Sequence, residues 1–234
     1  MTAVVDSRIP VAAERALTER GFTICKLPPH PSLPPPAASH PDMLVFFAQD
    51  AILCTRSYHA IAQKELETVS RAAQRPIGIL SGEVSDAYPH DILLNAAPMG
   101  DRLLCLPTHT ANEITARYRV IPVKQGYAKC STLPVGEGAL ITADPSIARA
   151  AHANRIDVLS VRAGYVSLTG YDTGFLGGAA SFAPYFPTRE ILFCGALTSH
   201  PDGEAIRAFC NERGFETVSL SKEELTDIGT IFLI

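Results

Sequence analysis

The chain has 234 residues and a formal net charge of -4, with 24 acidic and 20 basic side chains. This weak negative charge lacks the basic excess of a nucleic-acid-binding protein, and no apolar stretch approaches the roughly 20 residues that span a bilayer. Hydrophobic residues make up 47% of the sequence, so the chain can bury a large core, and we expect a single domain over residues 1–234. The segment from Met1 to Arg20 has no long apolar block, does not resemble a secretory signal, and predicts a cytoplasmic protein.

The first predicted elements are a strand, a helix and a second strand. They cover residues 3–8, 10–20 and 22–25. Gly21 is a typical helix stop between the last two. The proline-rich stretch at 28–36 follows and is predicted to be a surface linker.

A strand–helix–strand phrase then recurs along the chain, which indicates an internal repeat. Its copies are predicted at 51–55, 58–73 and 77–80; at 102–106, 110–116 and 119–123; at 140–143, 145–152 and 157–161; and at 190–194, 201–213 and 216–220. In the third copy Asp144 suits a helix N-cap and Pro145 suits the first helical position. Four units of similar build are therefore expected.

Each copy is preceded by one more short apolar element, which we predict to be an opening strand. These elements lie at 41–46, 90–95, 129–133 and 171–176, and a fifth lies at 226–234. The fifth has nothing after it, whereas residues 3–25 form a unit that lacks an opening strand. Joined, the two ends complete a fifth unit and close a ring without unpaired edge strands. The alternative is an ordinary α/β sheet with helices on both faces, which does not explain the complementary ends.

Five strand–strand–helix–strand units resemble the plan of the penteins, the α/β propellers of the guanidino-modifying-enzyme fold, and most of all an uncharacterised bacterial branch of them. The resemblance implies a five-fold pseudosymmetric α/β propeller. It also implies an activity like that of arginine deiminase, agmatine deiminase, dimethylarginine dimethylaminohydrolase or the amidinotransferases. In the family's hydrolases a nucleophilic cysteine lies in the last unit. Here that unit begins Thr226-Asp227-Ile228-Gly229 and contains no cysteine. A ribosome anti-association factor shares the fold without catalysis.

One position of the opening elements is polar in all five units. It is occupied by Asp42, Asp91, Cys130, Asp172 and Asp227. In a closed ring these side chains would converge on the axis, together with Asn95, which shares a strand face with Asp91. Four carboxylates suit a guanidinium, which pairs with them bidentately. Gly177 and Gly178 would form one wall of this site. The alternative is that each aspartate caps a turn.

Cys130 is the candidate nucleophile, because it replaces an aspartate at the ring position. The negative field would keep its thiol protonated until a cation binds. Lys129 is predicted to point to the other face of the strand. His40 and His90 adjoin the ring and are candidates for proton transfer. The alternative for Cys130 is a core thiol, as expected for the other free cysteines.

Three functions remain open from the sequence. The first is an amidinohydrolase- or deiminase-like enzyme that hydrolyses C–N bonds of a guanidino or amidino compound in a central acidic cavity. The second is a non-catalytic binding protein for a cationic metabolite or a macromolecular partner. The third is a metal site of aspartates and histidines, which we rank last and do not expect, since closely spaced ligand motifs are absent. No cofactor motif is present, and we expect a small cationic molecule as partner, without nucleic acid or membrane.

Overall fold

The computed structural model describes all residues, Met1–Ile234. The strands are β1 Thr2–Asp6, β2 Thr23–Leu27, β3 Phe46–Phe47, β4 Ile52–Cys54, β5 Ile77–Ile79, β6 Ala97–Met99, β7 Arg102–Cys105, β8 Arg119–Pro122, β9 Leu133–Val135, β10 Ala139–Thr142, β11 Asp157–Ser160, β12 Ser181–Phe182, β13 Glu190–Phe193, β14 Glu216–Ser219 and β15 Ile231–Leu233. The α-helices are α1 Val11–Glu19, α2 Pro41–Leu44, α3 Arg56–Ile61, α4 Gln63–Ala73, α5 Asn112–Thr115, α6 Pro145–Ala153 and α7 Gly203–Asn211.

The strands form five small sheets, so the mixed α/β architecture is confirmed. Three sheets repeat one pattern, in the orders β3-β4-β5, β6-β7-β8 and β9-β10-β11. In each, the first strand pairs antiparallel with the second, and the second pairs parallel with the third. The parallel step requires a crossover, which the intervening helices provide. A fourth sheet contains only β13 and β14.

The fifth sheet joins the two ends of the chain. Its order is β12-β15-β1-β2, with β15 antiparallel to β1 and β1 parallel to β2. Thr2 and Ile234 exchange two backbone hydrogen bonds, of 2.6 and 2.9 Å. The predicted pairing of the two ends is therefore present. β12 departs from the repeat, because it pairs with β15 and reaches β13 only through one bridge, Ala180 to Phe193. Five-fold pseudosymmetry and a single domain over residues 1–234 stay predictions.

The opening strands begin later than predicted. Residues 41–44 form the short helix α2, and residues 90–95, 129–132 and 171–176 lie in turns or irregular segments. The paired strands β3, β6, β9, β12 and β15 follow them. The reason is local chemistry, since these segments are rich in proline, aspartate, asparagine, serine and glycine, whose side chains and backbones favour turns over ladders. The polar ring position thus lies before each strand.

The helices largely match the sequence. Asp144 caps α6, and its Oδ1 accepts from the backbone nitrogens of Ser146 and Ile147 at 2.7 and 2.9 Å. The helix predicted at 58–73 is instead two helices, α3 and α4, which meet at Ala62. No helix of the structure is both long and apolar enough to cross a membrane.

Candidate functional site

Three of the predicted site residues meet in the interior, at the segments before β3, β6 and β9. The Sγ atom of Cys130 lies 3.1 Å from Asp42 Oδ2 and 3.1 Å from Asn95 Nδ2. The thiol therefore donates to the carboxylate and accepts from the amide. All three residues are buried. The central cluster, as we name it, consists of Asp42, Asn95, Lys129, Cys130 and Thr230.

Asn95 ties three segments of the chain together. Its Oδ1 accepts from the backbone nitrogen of Lys129 at 2.8 Å and from that of Cys130 at 3.3 Å. Its Nδ2 lies 3.4 Å from the backbone carbonyl oxygen of Asp42. A side-chain amide can satisfy both donors and acceptors in this way. Asn95 thereby fixes the backbone that carries the thiol.

Lys129 also belongs to the central cluster, contrary to the prediction. Its side chain is buried, and Nζ donates to Thr230 Oγ1 at 2.9 Å. Thr230 Oγ1 in turn lies 2.9 Å from Asp42 Oδ2. The prediction from strand alternation was wrong here because residues 129–132 form turns and not an extended strand. The signal that could have indicated this is composition: Gly126 precedes the segment, and two hydroxyl residues follow Cys130.

Burial governs the charges of the central cluster. It raises the pKa of the Asp42 carboxyl, although His40 and Lys129 act in the opposite direction. It lowers the pKa of the Lys129 amine, although the Asp42 carboxylate opposes this. Burial and the Asp42 carboxylate together raise the pKa of the Cys130 thiol well above its ordinary value. Because only the thiolate is a strong nucleophile, Cys130 is not activated in this arrangement.

Asp227 lies beside the central cluster and serves as a turn cap. Its Oδ1 accepts from the Gly229 nitrogen at 3.0 Å, and its Oδ2 accepts from the Phe175 nitrogen at 2.9 Å. Gly178 packs directly on this carboxylate, so a Cβ there would overlap Asp227. A Cβ on Gly177 would overlap the carbonyl oxygen of Thr132. Both glycines therefore allow the close approach expected of a wall.

His40 lies between two buried carboxylates. Its Nε2 is 3.8 Å from Asp6 Oδ2, and its Nδ1 is 3.8 Å from Asp227 Oδ1. Burial lowers the pKa of the imidazole, while the carboxylates of Asp42 and Asp6 oppose that effect. Asp6, which the sequence did not single out, is held by Arg8 at 2.9 Å and by Ser39 at 2.6 Å. The role of His40 in proton transfer stays a prediction.

The other predicted site residues lie elsewhere. Asp172 is exposed at the surface, so its predicted burial at the axis is wrong. The segment before β12 is longer than that before β3, and it brings Gly177 and Gly178 to the centre instead of Asp172. His90 is also exposed, with its ring against that of His109 at 5.4 Å. Asp91 is buried, but it accepts from the Tyr127 hydroxyl rather than joining Cys130.

A cavity of about 470 Å³ opens at the end of the molecule where the hairpins turn. We call it the hairpin cavity. Its wall comes from the turns β3–β4, β6–β7, β9–β10 and the longer β12–β13 connection, represented by Gln49, Gly100, Glu137 and Pro184. Six aromatic rings line it, those of Phe47, Tyr118, Phe182, Tyr185, Phe186 and Phe215. Its charged residues are Glu137, Arg189 and Glu190.

A much smaller void of about 10 Å³ lies deeper, against Asp42 and Lys129. We call it the inner void. Phe47, Pro98 and Phe182 line both the inner void and the hairpin cavity, so these three residues form an apolar collar between them. The arrangement places the polar centre at the base of the hairpin cavity.

The metal alternative finds no support in the arrangement of donors. The structure contains no group of three or more histidine, cysteine, aspartate or glutamate side chains placed to hold a metal ion. Asp42, Asp227 and His40 are instead used by protein donors and by one another.

Solved structures resemble this fold over nearly its whole length. A cysteine-to-serine mutant of DDAH from Pseudomonas aeruginosa, complexed with citrulline, matches with a TM-score of 0.56 and 12% identity, over 94% of this chain and 91% of that chain. Agmatine deiminase from C. jejuni matches with a TM-score of 0.53 and 8% identity, over 94% and 75%. SxtG, an amidinotransferase from Microseira wollei in the saxitoxin biosynthetic pathway, matches with a TM-score of 0.50 and 11% identity, over 94% and 88%.

In sequence, no curated protein matches the chain significantly. The structural likeness concerns the fold, and it confirms the resemblance to the penteins. A family model covers residues 4–232, nearly the full sequence. The chain therefore belongs to the family of unknown function DUF6873, and its fold is that of the penteins.

Proposed function

We propose that this protein binds a small organic cation, a guanidino or amino compound, in the hairpin cavity, and that Cys130 does not act as a nucleophile. One observation carries the proposal: the side chain of Lys129 occupies the place at the centre of the fold that a substrate cation would take. A substrate cation was expected among the central carboxyl groups, and the buried amine of Lys129 already lies there.

The state of Cys130 supports the non-catalytic half of the proposal. Its thiol is buried and donates to Asp42, and its pKa is raised. The inner void is only about 10 Å³, room for roughly one water molecule. A guanidinium carbon could not reach the sulfur through it without rearrangement of the collar.

The lining of the hairpin cavity supports the cation half. Aromatic faces attract guanidinium and ammonium groups, with about 0.5–2 kcal/mol per contact. The Arg75 guanidinium lies 5.1 Å from the centre of the Tyr185 ring, so this ring already makes a cation–π contact with a side chain of the same protein. Glu137 is exposed at the rim, and its carboxylate accepts no hydrogen bond from the protein. Glu190, by contrast, is paired with Arg20 at 2.6 Å.

Calorimetric titration with agmatine, arginine and methylated arginines tests the proposal, with citrulline as the uncharged control. We expect the cations to bind more tightly than citrulline. Tyr185→Leu should weaken cation binding by about 2- to 30-fold, the range of one cation–π contact, and Glu137→Gln should also weaken it. The exposed Tyr171→Leu is the matched control. Equal binding of arginine and citrulline, or cation affinity unchanged in Tyr185→Leu, would contradict the proposal.

A second candidate function is an amidinohydrolase- or deiminase-like enzyme. The observation that favours it is the convergence of Cys130, Asp42 and Asn95 at 3.1 Å contacts. The same compounds should then release ammonia, amine or urea, and Cys130→Ala should abolish the release. Binding without any release supports the binding protein, and release that survives Cys130→Ala removes Cys130 from the reaction.

A further inference from the structure

Lys129 is an unusual group for a protein interior. It is among the largest fully buried side chains, yet its amine has no carboxylate oxygen within 4.0 Å. Lys26 is the one lysine that has such a partner. Its Nζ has one protein hydrogen-bond partner, Thr230 Oγ1. A lysine ammonium offers three donors, and buried charges are normally paired. The remaining hydrogen-bonding capacity of Lys129 is therefore unused.

The Asp42 and Asp227 carboxyl groups and the Cys130 thiol act on Lys129, and its Nζ also has aromatic neighbours. It is 5.4 Å from the centre of the Phe182 ring and 5.9 Å from that of Phe232. Lys129 also lines the inner void, which shares the three collar residues with the hairpin cavity. The void matches the size of one oxygen atom of a small molecule, and the body of that molecule would lie on the collar side.

A carboxyl group is connected to Lys129 through one hydroxyl. Thr230 Oγ1 contacts both Lys129 Nζ and Asp42 Oδ2, each at 2.9 Å. Asp42 lines the inner void as well, and its buried Oδ1 has no hydrogen-bond partner. An amine, a relay hydroxyl and a carboxyl with an unsatisfied oxygen thus surround one small void.

We propose that Lys129 is a carbonyl-reactive amine, which forms a reversible imine with a small aldehyde or ketone that enters from the hairpin cavity when the collar side chains move aside. A lysine desolvated in an apolar pocket is a recognised nucleophile toward carbonyl compounds. The aromatic lining of the hairpin cavity suits an aldehyde with an apolar or aromatic body. This inference concerns covalent chemistry and does not depend on cation binding.

The proposed step balances with the groups present and the carbonyl compound. The Lys129 lone pair adds to the carbonyl carbon, and the carbonyl oxygen takes a proton from the Asp42 carboxyl through the Thr230 hydroxyl. The cationic nitrogen of this carbinolamine returns its proton to Asp42 by the same path. The hydroxyl then takes that proton and leaves as water, while the nitrogen lone pair forms the C=N bond. The products are a protonated imine, a carboxylate and one water.

The charges of the site favour this step. Burial lowers the pKa of Lys129, which favours the free amine, and raises the pKa of Asp42, which favours the protonated carboxyl. Exposed lysines such as Lys64 and Lys222 lie in water and do not experience this desolvation.

Reductive trapping tests the inference. The intact protein is incubated at pH 7 with benzaldehyde or acetaldehyde and sodium cyanoborohydride, at low conversion, and modified lysines are located by peptide mass spectrometry. We expect the alkyl group on Lys129 at least several-fold ahead of Lys64, Lys124 and Lys222. Phe182→Ala, which opens the collar, should accelerate the reaction at Lys129, whereas the surface change Tyr171→Ala should not.

Two further samples make the result decisive. Urea-unfolded protein shows that the Lys129 peptide is detected when modified, and Lys129→Met identifies its signal. The inference would be overturned if the exposed lysines were modified and Lys129 were not, in both the wild type and Phe182→Ala. Modification of Lys129 only in unfolded protein would overturn it too.

Discussion

Asp227 shows how a single buried carboxyl ties stability to pH. Burial raises its pKa from 3.8 to about 6. The folded state therefore binds the proton more tightly than the unfolded state, and this contribution to stability is complete below pH 3.8 and lost as pH rises through about 6. The loss is on the order of 3 kcal/mol. We expect the stability of the wild type relative to Asp227→Asn to fall by this amount between pH 4 and pH 7.

Urea denaturation of both proteins at pH 4, 5, 6 and 7 measures this difference. His40, whose pKa is lowered by burial, makes a contribution of the opposite sign in both proteins. The exposed change Asp86→Asn is the matched surface control. A constant difference for Asp227→Asn would show that the carboxyl titrates alike in both states.

At the same scale, repeat alignment located some central residues and missed others. Asp42 and Cys130 were predicted to converge because equivalent positions of a ring lie near one axis, and they are in contact. The predicted position of Asp172 was wrong because its unit has a longer segment before the strand. The predicted direction of the Lys129 side chain was wrong because alternation applies only to an extended chain, and residues 129–132 form turns. Turn geometry depends on contacts with other units, such as those of Asn95, which a single sequence does not display.

At the scale of elements, the turn before β12 requires a glycine at position 178, where there is no room for a side chain. A Cβ on Gly178 would overlap the Asp227 carboxylate, whereas a Cβ on Gly138 would have no atom within 4 Å. Neither glycine has a positive φ, so space alone distinguishes them. We expect Gly178→Ala to lower the free energy of unfolding by about 1–3 kcal/mol or more. Gly138→Ala should change it by less than about 1 kcal/mol.

Urea denaturation at pH 7 measures both changes. Equal stability of the two alanine variants would mean that the turn before β12 relaxes freely, and Gly177 and Gly178 would then not form a rigid wall.

Helices and middle strands were the elements that the sequence predicted best. Asp144 and Pro145 mark the start of α6 by local chemistry, and the cap bonds are present. Edge strands such as β3 and β12 have only two residues each. Such strands exist because a partner pairs with them, and their bounds are set by tertiary contacts rather than by local pattern.

The whole molecule is held together where β15 pairs with β1. This antiparallel pair resembles β3–β4, β6–β7 and β9–β10, except that no turn connects its two strands. The complementary partial units predicted the pairing, because a strand with hydrogen-bonding capacity on both edges needs two neighbours. β15 has them in β1 and β12. The sequence did not predict that β12 would leave its own unit, since a two-residue strand carries no register signal of its own.

A circular permutant tests this closure directly. Thr2 and Ile234 exchange backbone hydrogen bonds, so a short glycine-containing linker from Ile234 to Met1 would complete a β15–β1 hairpin. New ends can be placed at the exposed β9–β10 turn, between Gly136 and Glu137. Because one hairpin turn is exchanged for another, the cost in loop closure is small, and exposed turns tolerate new ends.

We expect the permutant to unfold cooperatively, with a free energy of unfolding within about 2 kcal/mol of the original chain. Deletion of residues 226–234 should instead remove cooperative unfolding altogether, because β1 and β12 both lose their partner. Urea denaturation followed by far-ultraviolet circular dichroism and by tyrosine fluorescence reports both outcomes. A deletion variant that unfolds like the full chain would show that the ends are appended to the fold rather than part of its closure.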